Sequence, residues 1–182
     1  QILVEKNNVI GVKSVKQRYN ADKVVSNMDV FFSYQKLLKD SKAAKKVEKH
    51  ERSSSALIFY WGLKHEFPQL DLHNIFFSSD YEAEFKSLFE TKDFADDLTV
   101  YVNISSKDKA DDAPAGGENW FVMVNAPENN GQDWKLLKEK ARYLIIKKLN
   151  HILKLDLEPL IECETVLDPI TIEQETQSYK GL

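Results

Sequence analysis

Side chains able to do chemistry are few and scattered in this 182-residue chain. His50, His65, His73 and His151 stand at no spacing that would gather ligands around a metal, and no cluster of Cys, Asp or Glu joins them. Ser53-Ser54-Ser55 lacks the glycine-flanked turn of a nucleophile elbow, which argues against hydrolase chemistry. Cys163 is the single cysteine, so an intramolecular disulfide framework is excluded and a reducing compartment is expected. No general base or nucleophile is assignable. The chain offers surface instead: aromatic runs at Phe59-Tyr60-Trp61 and Phe76-Phe77, Asn27 and Asp29 closing an apolar run, and a series of lysines from Lys36 to Lys49.

Periodicity supplies the elements that must position these residues. Residues 2–4 and 9–12 flank Asn7-Asn8, which tolerate positive φ, and read as a β-hairpin. Residues 21–26 add a third strand, buried, that ends at Asn27 and Asp29; residues 31–38 read as helix. Lys36, Lys39, Lys42, Lys45, Lys46 and Lys49 gather on one face if this basic stretch is an exposed helix, the alternative being a mobile connection. Residues 55–63, nearly all apolar, predict a central strand covered on both faces. A shorter strand follows at 75–78, then a helix over about 80–90 with Ser79 and Glu82 as its capping box. Over residues 99–105, Val100, Val102 and Ile104 alternate with Tyr101 and Asn103, the pattern of a half-buried strand.

An exposed loop at 107–119 leads to a strand at 120–125. The longest helix covers about 134–155, with Trp134, Leu137, Ala141, Leu144, Ile145, Leu149 and Ile152 in its apolar stripe. A strand at 160–166 and a short helix, capped by Asp168 with Pro169 at its first position, complete the pattern. The order predicts an α+β fold: a mixed, largely antiparallel sheet with helices on one face, the long helix packed against the aromatic strand.

Apolar content of 42% with 30% charged residues is that of an ordinary globular protein. A formal net charge of −4 argues against nucleic acid as a partner, since phosphate neutralisation needs clustered Lys and Arg. No apolar run is long enough to span a bilayer.

Two blocks carry a resemblance. The first is Ala21-Asp22-Lys23-Val24-Val25-Ser26-Asn27-Met28-Asp29, followed by Ser33-Tyr34 and Leu37-Leu38. The second runs through Ser53-Ser54-Ser55-Ala56, Phe59-Tyr60-Trp61-Gly62-Leu63, Phe67-Pro68-Gln69-Leu70, His73-Asn74-Ile75-Phe76-Phe77-Ser78 and Asp80-Tyr81-Glu82-Ala83-Glu84-Phe85. Ala113-Pro114-Ala115-Gly116 and Ser178-Tyr179-Lys180-Gly181 extend it over almost the whole chain. In order and spacing these motifs resemble the bacterial-type carotenoid desaturases, the family that includes phytoene desaturase. The family's G-x-G-x-x-G dinucleotide turn is absent, so the chain reads as the central fragment of a longer enzyme.

The resemblance implies an oxidoreductase of carotenoid biosynthesis that uses FAD to introduce carbon–carbon double bonds into a carotenoid such as phytoene, γ-carotene or a hydroxycarotenoid. Related isomerases and saturases share the motifs. Residues 1–29 would belong to or edge the FAD-binding domain, 30–170 would form the substrate-binding domain, and 171–182 would return toward the cofactor. Asn27, Asp29, Tyr179 and Gly181 are expected near the cofactor, although Asn27 and Asp29 also suit a plain turn. Phe59, Trp61, Phe76, Phe121 and Met123 are expected to line the substrate tunnel, the resemblance placing the strands of Phe59-Tyr60-Trp61 and Phe76-Phe77 side by side. Lys42, Lys45 and Lys46 are expected either to be solvated or to touch anionic lipid, with the enzyme peripheral at the inner, cytoplasmic face of the membrane. The partners implied are the carotenoid and the rest of the polypeptide. The chain alone is expected to be inert and to hold no flavin; a stand-alone lipid-binding or interaction domain is the alternative.

Overall fold

A computed structural model describes all 182 residues, which divide into two compact units. The first comprises residues 1–52 and 173–179, the second residues 53–172 and 180–182. The boundary expected at residue 29/30 therefore falls inside the first unit.

In the first unit, strands β1 (Ile2–Glu5), β2 (Asn8–Lys13) and β3 (Arg18–Asn20) form an antiparallel sheet in that order. The hairpin turns on Lys6 and Asn7, both at positive φ, one residue earlier than Asn7-Asn8 would have it. Gly11 lets β3 approach: a Cβ there would lie 2.1 Å from the Tyr19 carbonyl oxygen. The third strand is thus 18–20, not 21–26. A β-branched run becomes a strand only where it finds a ladder partner, and Val24-Val25 finds none; Val25 is 95% exposed.

Helix α1 (Val30–Phe32) continues into a π-helical turn, Ser33–Leu38, which ends at Lys39 in the left-handed conformation. The basic stretch is therefore not one helix. Helix α2 (Ser41–Glu48) begins afresh on an Asp40 cap; it turns Ala44 inward and Lys42, Lys45 and Lys46 to solvent. Phe31, Phe32 and Ala44 form the small core of this unit, with Met28, Val47 and Tyr179 packed around them.

The second unit is a five-stranded sheet ordered β5-β6-β7-β4-β8, where β4 is Ser55–Leu63, β5 His73–Phe76, β6 Val100–Asn103, β7 Glu118–Ala126 and β8 Ile161–Leu167. Every pairing is antiparallel, so the sheet is not mixed. The aromatic strand is central, flanked by β7 and β8, but β6 and β7 separate it from β5. Between the strands lie α3 (Tyr81–Lys86), prolonged by a π-turn over Ser87–Thr91, and α4 (Trp134–Leu153). Helix α5 (Pro169–Thr176) starts on Asp168, as its sequence predicts. The α3 cap is Asp80, whose carboxylate accepts from the Ala83 N–H; Ser79 instead donates to Asp97, so the Ser79/Glu82 box does not form.

One side of this sheet is core. Leu57, Phe59, Trp61 and Leu63 from β4, Val100 and Val102 from β6, and Trp120, Val122 and Val124 from β7 share one buried cluster with Leu137, Ala141, Leu144, Ile145 and Leu149 of α4. In that helix Ile146 is buried and Ile152, expected in the stripe, is 41% exposed near the helix end. Arg142 ties the layers together. It donates to Glu158 at 2.9 Å through both terminal nitrogens and to Glu164 of β8 at 2.7 Å, and the Trp61 indole N–H donates to the same Glu164 at 2.6 Å.

Candidate functional site

The other side of the sheet carries no helix-packed cluster. Strand alternation assigns to it Ile58 and Tyr60 of β4, Phe121 and Met123 of β7, Tyr101 and Asn103 of β6, His73 and Ile75 of β5, and Cys163 and Thr165 of β8. Only Ile58, opposite Leu167, is buried there; Tyr60 is 43% and Ile75 54% exposed. The rings interlock across strands. Tyr60 meets Phe121 edge-on at 5.4 Å, Phe121 meets Tyr101 edge-on at 6.2 Å, and Tyr101 stacks with His73 at 6.1 Å, its hydroxyl 2.8 Å from His73 Nδ1. The result is a half-open aromatic and aliphatic surface that spans four strands.

Of the residues expected to line a tunnel, Phe121 and Met123 therefore lie on the open face, while Phe59, Trp61 and Phe76 point to the helix-covered side. Phe59 and Trp61 are each 1% exposed. A side chain sealed in the core cannot meet a ligand, and the expectation that β4 is covered on both faces fails for the same reason. Tyr60, Tyr101 and Ile75 were missed. Their signal lay in strand parity: Leu57, Phe59, Trp61 and Leu63 form the bulkier alternate set and take the core, which leaves Tyr60 outward.

At one end the open face deepens into a groove of about 800 Å³, bordered by Tyr60, Gly62, Asn103, Phe121 and Thr165 and by the turn through Pro114 and Gly116. Gly117 holds that turn against the sheet, since a Cβ there would come within 2.6 Å of the Leu63 carbonyl oxygen. The buried Glu118 carboxylate anchors its far side. It accepts from the Phe67 N–H at 2.8 Å and the Trp120 indole N–H at 2.7 Å, and pairs with Lys107 at 2.6 Å. Asn119 accepts from the Ser106 N–H at 3.0 Å and donates to Ser105 Oγ at 2.7 Å, fixing the other wall.

In the first unit, Asn27 is exposed, away from any buried strand end. Asp29 caps α1, accepting from the Phe31 N–H at 2.8 Å, and pairs with Arg52 at 3.3 Å. Tyr179 stacks on Phe31 with ring centroids 3.7 Å apart and donates its hydroxyl to Glu48 at 2.6 Å. Burial, then that hydrogen bond to Glu48, pushes the Tyr179 phenol up to about 12. Arg52 brings Asp29 and Tyr179 together: its guanidinium also donates to the Tyr179 carbonyl at 3.4 Å and lies 5.0 Å from the Tyr179 ring centroid. Gly181 belongs to the second unit, where its carbonyl accepts from the Ser55 hydroxyl; a Cβ on it would lie 2.2 Å from the Pro169 carbonyl oxygen.

Comparison with curated proteins finds 54% identity over 175 residues to a 1-hydroxycarotenoid 3,4-desaturase of Flavobacterium sp. (strain P99-3), covering 96% of this chain and 36% of that protein. This chain belongs to the carotenoid desaturase family. It is also 35% identical over 147 residues to a zeta-carotene-forming phytoene desaturase of Myxococcus xanthus, with 79% of the chain and 28% of the relative covered. A phytoene desaturase of Neurospora crassa matches at 33% over 172 residues, 89% of the chain and 29% of the relative. The chain thus spans about a third of the length of these curated desaturases. No family model matches it.

FAD, the cofactor that the desaturase resemblance implies, needs free backbone N–H groups at a helix start for its pyrophosphate. In this chain α1, α2, α3, α4 and α5 begin on Asp29, Asp40, Asp80, Asp133 and Asp168, whose carboxylates already accept from first-turn N–H groups. Each start is both occupied and negatively charged. The one double-glycine turn, Gly116-Gly117, leads into a strand. These residues do not fit the pyrophosphate. No helix is long and apolar enough to cross a membrane.

Proposed function

We propose that this chain supplies the substrate-binding sheet of an FAD-dependent carotenoid desaturase, with the open aromatic face of β4, β7, β6 and β5 lying against the polyene. The single observation that carries the reading is the one-sided sheet: one face sealed by α4, the other apolar, aromatic and uncovered in a chain whose relatives are named as desaturases of carotenoids. A long hydrocarbon binds chiefly through apolar area, at about 25 cal/mol per Å² removed from water. Tyr60, Tyr101, Phe121, Ile75 and Met123 offer such area on an ordered framework.

Desaturation removes two hydrogens from adjacent carbons, and the electron acceptor, FAD in this reading, would have its pyrophosphate held by a part of the enzyme other than the helix starts of this chain. This chain's part is to bind the hydrocarbon, fix its orientation and exclude water. The first unit, with Asp29 and Tyr179 joined through Arg52, would belong to the cofactor-binding side, and Gly181 to the return toward it. Phytoene, γ-carotene and hydroxycarotenoids all suit the apolar face; identity to the Flavobacterium enzyme favours a hydroxycarotenoid. The exposed Lys42, Lys45 and Lys46 of α2 would rest on anionic headgroups at the inner face of the membrane from which the substrate is drawn.

The test is Phe121→Ala in the polypeptide that carries this chain, with carotenoid turnover measured beside thermal unfolding. Turnover should fall at least tenfold, about the effect of 1.4 kcal/mol, while the fold persists because Phe121 is outside the core. Unchanged turnover would overturn the assignment of the open face.

A further inference from the structure

The open face is not uniformly apolar. Tyr60 and Thr165 are direct partners in the β4–β8 ladder, so their side chains emerge together on the open side at the mouth of the groove. The Tyr60 ring is steadied edge-on by Phe121, which fixes where its hydroxyl points from. Neither hydroxyl has a hydrogen-bond partner within the chain. One register step further, Gly62 faces Cys163, and a Cβ on Gly62 would come within 2.6 Å of Cys163 Sγ. Glycine therefore makes way for the Cys163 side chain, whose sulfur lies beside the two hydroxyls on the floor of the groove.

Charge around the groove narrows the ligand. Of the carboxylates that border it, Asp112 pairs with Lys109 at 2.7 Å and Glu118 with Lys107 at 2.6 Å, which leaves Glu162 beside Lys64 and no surplus of positive charge to draw in a carboxylate or phosphate. A neutral oxygen needs none. Accordingly we propose that Tyr60 and Thr165 form an end-group site that takes a neutral hydroxyl at the terminus of an acyclic isoprenoid, the hydrocarbon running from there over Phe121, Tyr101 and Met123. The Tyr60 hydroxyl donates to the ligand oxygen, and the ligand hydroxyl donates to Thr165 Oγ1. This assignment rests on the reading of the open face as the polyene surface.

The experiment uses the polypeptide that carries this chain and two acyclic carotenoids that differ only in a terminal tertiary hydroxyl. Dissociation constants come from quenching of tryptophan fluorescence, and kcat/KM from turnover. The wild type should prefer the hydroxylated compound, and Tyr60→Phe with Thr165→Val should lower that preference ratio about tenfold, the scale of one or two hydrogen bonds lost. Tyr60→Phe alone, which keeps the ring packing, should lower it severalfold. A wild type without preference, or variants that weaken both compounds alike, would overturn the end-group site. Phe121→Ala separates the two failures. If it weakens both compounds while the hydroxyl variants leave the ratio intact, the end-group assignment alone falls; if it weakens neither, the polyene surface falls and the end-group site with it.

Discussion

Neighbouring residues on β4 should differ sharply in what they cost to remove, because they belong to opposite faces of the sheet. Phe59 is 1% exposed inside the main core, and truncation to Ala should cost about 3–5 kcal/mol, since the transfer term is lost and a closed cavity is left. Tyr60 is 43% exposed on the open side. Its truncation loses roughly half a ring's burial and leaves no enclosed void, which amounts to about 1–2 kcal/mol. With a urea slope of about 2 kcal/mol per molar, the two midpoints should lie about 0.5–2 M apart. Trp61, Trp120 and Trp134 all sit in the second unit, so tryptophan fluorescence follows its unfolding without interference from the first. A circular-dichroism trace of the same titration checks that one transition is seen. If Tyr60→Ala proved as damaging as Phe59→Ala, the division into a sealed and an open face would be wrong, and the placement of the ligand surface with it.

Two further outcomes follow from charges. Burial raises the Asp97 carboxyl, but the hydrogen bond from Lys148 and those from the Ser79 N–H and hydroxyl outweigh it and bring the group down to about 2. A depressed carboxyl stabilises the fold above its unfolded value of 3.8, and that contribution is lost as pH falls toward about 2. Asp97→Asn should flatten the acid limb of the stability curve across that window; the effect is small because the side chain is 42% exposed, and an unchanged limb would refute the pairing. Reversing the charge of Lys42, Lys45 and Lys46 should weaken association of the carrying polypeptide with anionic liposomes, most of all at low salt, while turnover of detergent-presented carotenoid stays the same. Undiminished liposome binding would leave those lysines as a solvated face.

Sequence patterning located most of the second unit. The continuous apolar run at 55–63, the alternation around Val100 and Val102, the stripe from Trp134 to Leu149 and the Asp168-Pro169 start all depend on local period, and each appears where that period puts it. Face assignment differs from expectation because aromatic residues occupy both parities of β4, and the bulk of Phe59 and Trp61 suits the core as well as it suits a ligand wall. The strand expected at 21–26 failed for want of a pairing partner. Strand order, which determines that β5 lies two strands from β4, depends on long-range pairing with no local trace. The same holds for Glu118, whose partners Lys107 and Phe67 come from other segments. Asn27 and Asp29 were read from a motif, and only Asp29 acquired a definite structural duty, as a helix cap.

The two-sided division of the sheet also sets the terms on which this protein can change. Along β4 and β7, every second residue answers to packing and every other one faces the open side, so in the proposed reading a substitution at Tyr60, Phe121 or Met123 would retune ligand choice while the residues that hold the strand in place stay as they are. Deleting or inserting one residue in either strand would be another matter. It would turn the core set outward and the ligand set inward in a single step. Divergence of specificity in such a domain is therefore expected to proceed by replacement at alternate positions, with changes of length confined to turns such as the one through Pro114 and Gly116.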